Sequence, residues 1–203
     1  MTGVQTCALP IYAGSIGNIG VYSYNGNKII TTGGGGMVVS HSERHVARVR
    51  HLSTQAKTDV VYFKHDEIGY NYRMTNLQAA LGLAQMEQLE GFLACKKENY
   101  RAYQAQGIAL LPFREDAAPN YWFYSYLSER RDELIVRLEQ NGIQSRPIWH
   151  LIHQLPHYAG AQHYYIERAP WYWERVVNIP CSTNLTEEQL TRVATAVRQF
   201  GCS

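Results

Sequence analysis

The chain has 203 residues and 45% hydrophobic content, and its 19 lysines and arginines nearly balance 17 acidic residues, for a formal charge of +2. This composition is typical of an ordinary soluble protein of one or two domains, and it offers no basic patch for nucleic acid. No apolar run approaches the roughly 20 residues of a membrane span, so we expect no membrane contact. The four scattered cysteines form no CxxC pair, so we expect neither a zinc site nor a disulfide framework, and a cytoplasmic location.

The first structured stretch, residues 19–39, surrounds a single lysine with strand and turn residues. Strands are predicted at 21–24, 29–32 and 37–39, broken by turns at Asn25-Gly26 and at the glycines 33–36. Lys28 is therefore predicted at the end of a strand beside a tight turn. On local pattern alone it is more often a solvated hairpin charge, and Met37 after the last glycine disfavours a P-loop.

Two capping boxes predict the helices that follow. Ser40 with Glu43 predicts a helix to about Ser53, and residues 54–72 then lack periodicity and are predicted to be a loop. Thr75 with Gln78 opens a long helix over about 76–104. One face of this helix is apolar and is predicted to be a core spine, carrying Leu77, Ala80, Leu81, Ala84, Phe92 and Cys95.

The C-terminal part has the pattern of a small α/β domain. The composition shifts at 112–120, which predicts a boundary between two subdomains. Strands are predicted at 121–127 and 143–149, a helix at 131–140 that stops at Asn141-Gly142, and a last helix capped by Thr186 and Gln189 and ending near Phe200.

A cluster of histidines and aromatic residues lies between these elements. His150, His153 and His157 have the spacing of a helical face, which is one way to bind zinc. Pro156 interrupts such a helix, and neither a carboxylate nor a cysteine completes the ligand set, so a metal site is disfavoured. Aromatic packing with histidines at its edge is the plainer alternative.

Two long motifs identify a family resemblance. Residues 23–36 read SYNGNKIITTGGGG and residues 67–82 read EIGYNYRMTNLQAALG. Their residues and their order closely resemble two motifs of the DegT/DnrJ/EryC1/StrS family of pyridoxal-phosphate sugar aminotransferases. The resemblance runs from about Ala13 to the C-terminus and looks closest to members that aminate the 4-keto group of nucleotide-linked acetamido sugars. It implies the C-terminal part of a fold-type I transferase, an α/β fold.

The resemblance implies how the cofactor, pyridoxal 5′-phosphate, is held. Lys28 matches the lysine that forms a Schiff base with the cofactor and carries the proton between the substrate Cα and C4′. Ser23 matches a hydroxyl donor to the cofactor phosphate. Asn71 matches a residue that reaches this phosphate from the neighbouring subunit, which implies a homodimer with a shared site. For both, a capping or surface role is the plain alternative.

The resemblance also implies substrate contacts. Arg73 lies in the same loop as Asn71, and Trp149 and His153 look like the segment that approaches the nucleotide sugar; each is otherwise a surface or packing residue. The implied activity is amino transfer, from glutamate in this family, to a 4-keto nucleotide-linked deoxysugar used for surface polysaccharide or glycan precursors.

The N-terminal side departs from the family. Residues 1–11 match nothing in it and are predicted to be a foreign extension. We expect residues 12–111 to be part of the cofactor-binding domain and 112–203 the small domain. The family places the acid that holds the pyridine nitrogen protonated upstream of the lysine, and no Asp or Glu precedes Glu43 here. An inactive fragment without cofactor, acting as a folding or interaction module, is therefore the alternative.

Overall fold

The computed structural model describes residues 12–201, so the predicted foreign extension at 1–11 lies outside the described residues. The chain divides into two compact units. Unit 1 comprises residues up to Gly91 together with Arg114–Ala118, and unit 2 comprises Phe92–Phe113 and the residues from Pro119 onward. Residues 92–111, which the sequence analysis grouped with the cofactor-binding domain, thus cluster with the C-terminal unit.

Unit 1 begins with a two-stranded antiparallel sheet. Strands β1 (Gly20–Ser23) and β2 (Gly36–Val39) pair from Gly20 opposite Val39 to Ser23 opposite Gly36. The strand predicted at 29–32 was wrong, because residues 24–35 form the loop that connects β1 to β2. Lys28 is therefore a loop residue rather than the end of a strand.

Helix α1 (Glu43–Ser53) ends where it was predicted to end, but its cap differs. The N-cap is Ser42, and no side chain caps the helix; the Ser40 hydroxyl instead accepts a hydrogen bond from the Ser42 N–H at 3.1 Å. The predicted loop at 54–72 contains a short antiparallel hairpin, formed by β3 (Lys57–Asp59) and β4 (Lys64–His65).

The long predicted helix is two helices, α2 (Asn76–Glu87) and α3 (Leu89–Ala105). The capping box is confirmed, since the Thr75 side chain accepts from the Gln78 N–H and the Gln78 side chain accepts from the Thr75 N–H. The prediction of a buried core spine was wrong for helix α2, the first half of the predicted helix. Helix α2 has no buried residue, and Leu77 is 85% exposed, because nothing in the described residues of unit 1 covers this face.

Unit 2 is built around a three-stranded antiparallel sheet of order β5-β7-β6. Its strands are β5 (Tyr124–Leu127), β6 (Arg146–Pro147) and β7 (Val176–Ile179), and its later helices are α4 (Arg131–Gln140), α5 (Ala169–Arg175) and α6 (Glu187–Gly201). The bounds of α4 are confirmed, and Gly142 follows it with a left-handed φ of 68°. The central strand β7 and helix α5 were not predicted.

The buried core that the structure describes lies in unit 2, where α3, α4 and α6 contribute their apolar faces. Its largest fully buried side chains are Tyr103, Tyr124, Leu134, Leu138, Val177 and Val197. In the part of the chain that the structure describes, no helix has both the length and the apolar character needed to cross a membrane.

Candidate functional site

Lys28 lies in a loop that is closed at its base by the backbone of one residue. The Tyr24 N–H donates to the Gly35 carbonyl at 3.0 Å, and the Tyr24 carbonyl accepts from the Thr32 N–H, also at 3.0 Å. Within the loop, the Lys28 N–H donates to the Asn25 carbonyl at 3.0 Å and closes a four-residue turn. The half-buried Lys28 side chain is therefore presented from a short, internally bonded turn.

Helix α2 supports this loop. Thr32 is 4% exposed, and a Cβ on Gly82 of α2 would lie 2.8 Å from its Cγ2, so only glycine allows this approach. The Thr31 N–H faces the Gln85 Oε1 of the same helix at 3.4 Å. The two predicted motifs thus meet in space: the glycine at the end of the second motif contacts the loop of the first.

Ser23 is the last residue of β1 and precedes the Lys28 turn. Its exposed hydroxyl accepts a hydrogen bond from the Asn25 N–H at 3.3 Å. A hydroxyl that accepts in this way keeps its own hydrogen available to donate. The position therefore suits a donor to an anionic group held beside the turn.

Asn71 and Arg73 lie on the segment between β4 and α2, and both are exposed. The backbone at 70–72 is extended and bridges Thr54 at Asn71. The rings of Tyr70 and Tyr72 stack on one side, with centroids 4.9 Å apart. Because side chains alternate along an extended segment, Asn71 projects from the opposite side.

In unit 2, Trp149 and His153 line one cavity of about 590 Å³. Trp149 is 62% exposed and its ring lies 5.6 Å from that of Trp122, while the His153 ring lies 5.4 Å from that of His163. The cavity is therefore lined by aromatic and aliphatic side chains, with the imidazoles of His150, His153 and His163 among them. Lys28, Ser23, Asn71 and Arg73 belong to unit 1, so the predicted site residues fall into two groups, one in each unit.

The histidines do not form the helical face that a zinc site would use. His153 and His157 lie in separate 3-10 turns, Ile152–Gln154 and Pro156–Tyr158. Among the described residues, the one group of three or more potential metal ligands is elsewhere, at His51, Asp66 and Glu67. This group was not predicted, because it joins a residue of a helix to a loop 15 residues later in the chain.

These three side chains are already engaged by protein groups. Arg48 donates to both carboxylate oxygens of Glu67, from Nη2 to Oε2 at 2.6 Å and from Nη1 to Oε1, and this pairing lowers the pKa of Glu67. The His51 Nε2 lies 2.7 Å from the Asp66 Oδ1. The group is thus a network of hydrogen-bonded side chains rather than an open set of ligands.

A buried lysine in unit 2 was also missed. Lys96 is 5% exposed, and its ammonium donates to the Cys181 carbonyl at 2.5 Å and lies 5.3 Å from the centre of the Tyr124 ring. Burial lowers the pKa of Lys96 and raises the pKa of the Cys181 thiol. These bonds fix α3 to the loop after β7, so we interpret Lys96 as a structural residue.

The fold defines the class of protein. The structure superposes on an aminotransferase, TlmJ, from Streptoalloteichus hindustanus with a TM-score of 0.86 at 21% identity, covering 94% of this chain and 54% of that one. It also superposes on the sugar aminotransferase CalS13 from Micromonospora echinospora with a TM-score of 0.81 at 25% identity, covering 94% and 54%. The predicted fold class, the C-terminal part of a fold-type I transferase, is confirmed.

Sequence comparison then gives the family. The profile of the DegT/DnrJ/EryC1/StrS aminotransferase family matches residues 10–198, and the chain belongs to this family. It is 36% identical over 197 residues to a GDP-perosamine synthase of Escherichia coli O157:H7, covering 93% of this chain and 53% of that protein. It is 32% identical over 193 residues to EpsN of Bacillus subtilis, described as a putative pyridoxal phosphate-dependent aminotransferase, covering 89% and 50%.

The chain spans about half the length of these curated relatives. The alternative of a folding or interaction module draws no support from the comparisons.

The residues present fit two ends of pyridoxal phosphate. An amine on a bonded turn suits the aldehyde end, and the Ser23 hydroxyl, five residues earlier, suits the phosphate. The acidic partner of the pyridine nitrogen has no candidate before Glu43. Asp66 and Glu67 are each already paired with a basic side chain.

Proposed function

We propose that this chain carries the lysine half of a pyridoxal-phosphate-dependent aminotransferase acting on a nucleotide-linked sugar. The observation that carries the proposal is the Lys28 turn: a half-buried lysine, on a loop closed by the Tyr24 backbone, beside an available Ser23 hydroxyl. The finer proposal is that glutamate donates the amino group and that the acceptor is a 4-keto deoxysugar. The similarity to GDP-perosamine synthases supports a sugar nucleotide as acceptor.

The roles of the chain's own residues follow from their chemistry. When bound, pyridoxal phosphate supplies an electron sink for the carbanion formed at the amino donor's Cα. The Lys28 amine would hold the cofactor covalently and, once displaced by the amino donor, would accept the proton from the donor's Cα; in the second half-reaction it would give a proton to the carbon of the acceptor that receives the amino group. The Ser23 hydroxyl and the Asn71 amide would donate hydrogen bonds to the phosphate.

Three further residues are proposed to bind substrate. Arg73 supplies a cation for an anionic substrate group. Trp149 offers an exposed aromatic face, and His153 contributes a polar group at the wall of the same cavity, a combination that suits the nucleotide part of the substrate. We also propose a homodimer in which Asn71 acts on the partner's cofactor, and a cytoplasmic location.

Cofactor attachment tests the proposal on the chain as it exists. The protein is incubated with pyridoxal phosphate, reduced with borohydride and digested, and the modified lysine is located by mass spectrometry. We expect the label at Lys28, and we expect Lys28→Ala to lose it. Lys64→Ala removes an exposed lysine of the same unit and serves as the matched control. Labelling spread over surface lysines, unchanged by Lys28→Ala, would refute the assignment.

A further inference from the structure

Residues 70–72 are attached to the C-terminal end of helix α1 by a series of backbone hydrogen bonds. The Tyr70 N–H donates to the Leu52 carbonyl at 2.7 Å, and the Tyr72 N–H donates to the Ser53 carbonyl at 3.1 Å. In the other direction, the Gln55 N–H donates to the Tyr70 carbonyl at 3.0 Å. Asn71 therefore lies between two residues whose amides are both held by the end of α1.

Side chains of α1 hold the same segment at a second place. Arg48 binds both oxygens of Glu67, and His51 contacts Asp66. Arg48, His51 and Leu52 are spaced i, i+3 and i+4, so they lie on one face of the helix. One face of α1 thus presents a guanidinium, an imidazole and a carbonyl to residues 66–70.

The backbone at this junction is closely packed and strained. Gln55 and Ala56 both have left-handed conformations, with φ of 66° and 49°, and Ala56 is fully buried. A Cβ on Gly69 would lie 2.3 Å from the Ala56 nitrogen, so the segment approaches the turn as closely as glycine allows. Strained backbone of this kind persists only where its surroundings determine it, and it clusters at functional sites.

We propose that Arg48 is a positioning residue: with Glu67 it forms a latch that fixes residues 66–72 on helix α1 and so orients Asn71 towards the cofactor phosphate. The orientation of Asn71 towards phosphate rests on the proposed function, whereas the latch itself does not. A bidentate pair between arginine and carboxylate has the fixed geometry that such a role needs, unlike an ordinary surface ion pair.

Hydrogen exchange tests the latch without any cofactor. In Arg48→Gln, exchange of the Tyr70 and Tyr72 amides should be at least about threefold faster than in the parent chain. Arg44→Gln removes the same charge one turn earlier on α1 and should leave these amides unchanged. The exchanged pair, Arg48→Glu with Glu67→Arg, should restore slow exchange. Unchanged exchange in Arg48→Gln would overturn the latch.

A second readout tests the positioning of Asn71. Borohydride labelling of Lys28 is compared for pyridoxal phosphate and pyridoxal, because the ratio of the two reports recognition of the phosphate. Arg48→Gln and Asn71→Ala should both lower this ratio by about threefold or more, and the exchanged pair should restore it. A ratio lowered by Asn71→Ala but not by Arg48→Gln would overturn the positioning role and leave the proposed function standing. A parent chain without phosphate preference would overturn the proposed role of Asn71 and, with it, the positioning role.

Discussion

Substitution of Gly82 tests most directly how helix α2 supports the Lys28 loop. Gly82→Ala would place a methyl 2.8 Å from the Thr32 Cγ2, about 0.6 Å inside the 3.4 Å at which ordinary contact begins. Thr32 has little room to move, because it is buried and β-branched and its hydroxyl donates to the Gly34 carbonyl. The overlap should cost about 1–3 kcal/mol and outweigh the gain of about 0.8–1 kcal/mol from replacing a helical glycine.

Gly91 provides the matched control. It lies in α3, and its added Cβ would meet nothing within 4 Å, so Gly91→Ala should be neutral or stabilise by up to about 1 kcal/mol. Urea unfolding gives the two free energies, and hydrogen exchange at the Thr32 amide, which donates to Tyr24, reports on the loop itself. We expect faster Thr32 exchange and weaker labelling of Lys28 in Gly82→Ala alone. Equal stabilisation by the two substitutions, with unchanged Thr32 exchange, would refute the close packing of α2 on the loop.

Two further predictions concern the core of unit 2. Leu138→Ala should destabilise the protein by about 2–5 kcal/mol, because Leu138 is fully buried. Val136 lies on the same helix but is 52% exposed, so Val136→Ala should change the unfolding free energy by no more than about 1 kcal/mol. Both are measured by urea unfolding, and equal losses would contradict the assigned core. Burial raises the pKa of Tyr103, so its contribution to stability is present below the unfolded value of about 10 and is lost as the pH rises above it. Tyr103→Phe should cost about 0.5–1.5 kcal/mol for the bond to the Pro180 carbonyl and should make the fall of the unfolding free energy above pH 10 shallower; an unchanged slope would contradict this origin.

The caps and ends of helices, which depend on nearby residues, were predicted well from the sequence. The Thr75 capping box and the stop of α4 at Asn141-Gly142 depend on residues within four positions of one another, and both are confirmed. Strand β7, which was not predicted, shows where prediction from residue pattern fails. All four of its residues are buried, so it lacks the alternation of a half-exposed strand.

The apolar face of α2 shows a different limit. Its periodicity identified an apolar stripe, but periodicity does not say which surface covers that stripe. In the described part of unit 1, Leu77 and Leu81 remain exposed, at 85% and 45%. The apolar face was therefore predicted correctly, but the prediction that it is buried in a core was wrong.

The candidate site in unit 1 depends on bonds that residue types do not reveal. Lys28 and Asn71 were found through motifs, yet the hydrogen bonds nearest to them are made by backbone: the Tyr24 amide and carbonyl for the lysine turn, and the Leu52 and Ser53 carbonyls around Asn71. Any residue type can supply a carbonyl, so no composition or spacing rule could have identified these supports. It follows that the substitutions most informative about this site are those that alter how closely a backbone approaches its neighbour, as at Gly82 beside Thr32, because they move the functional side chains while leaving their chemistry unchanged.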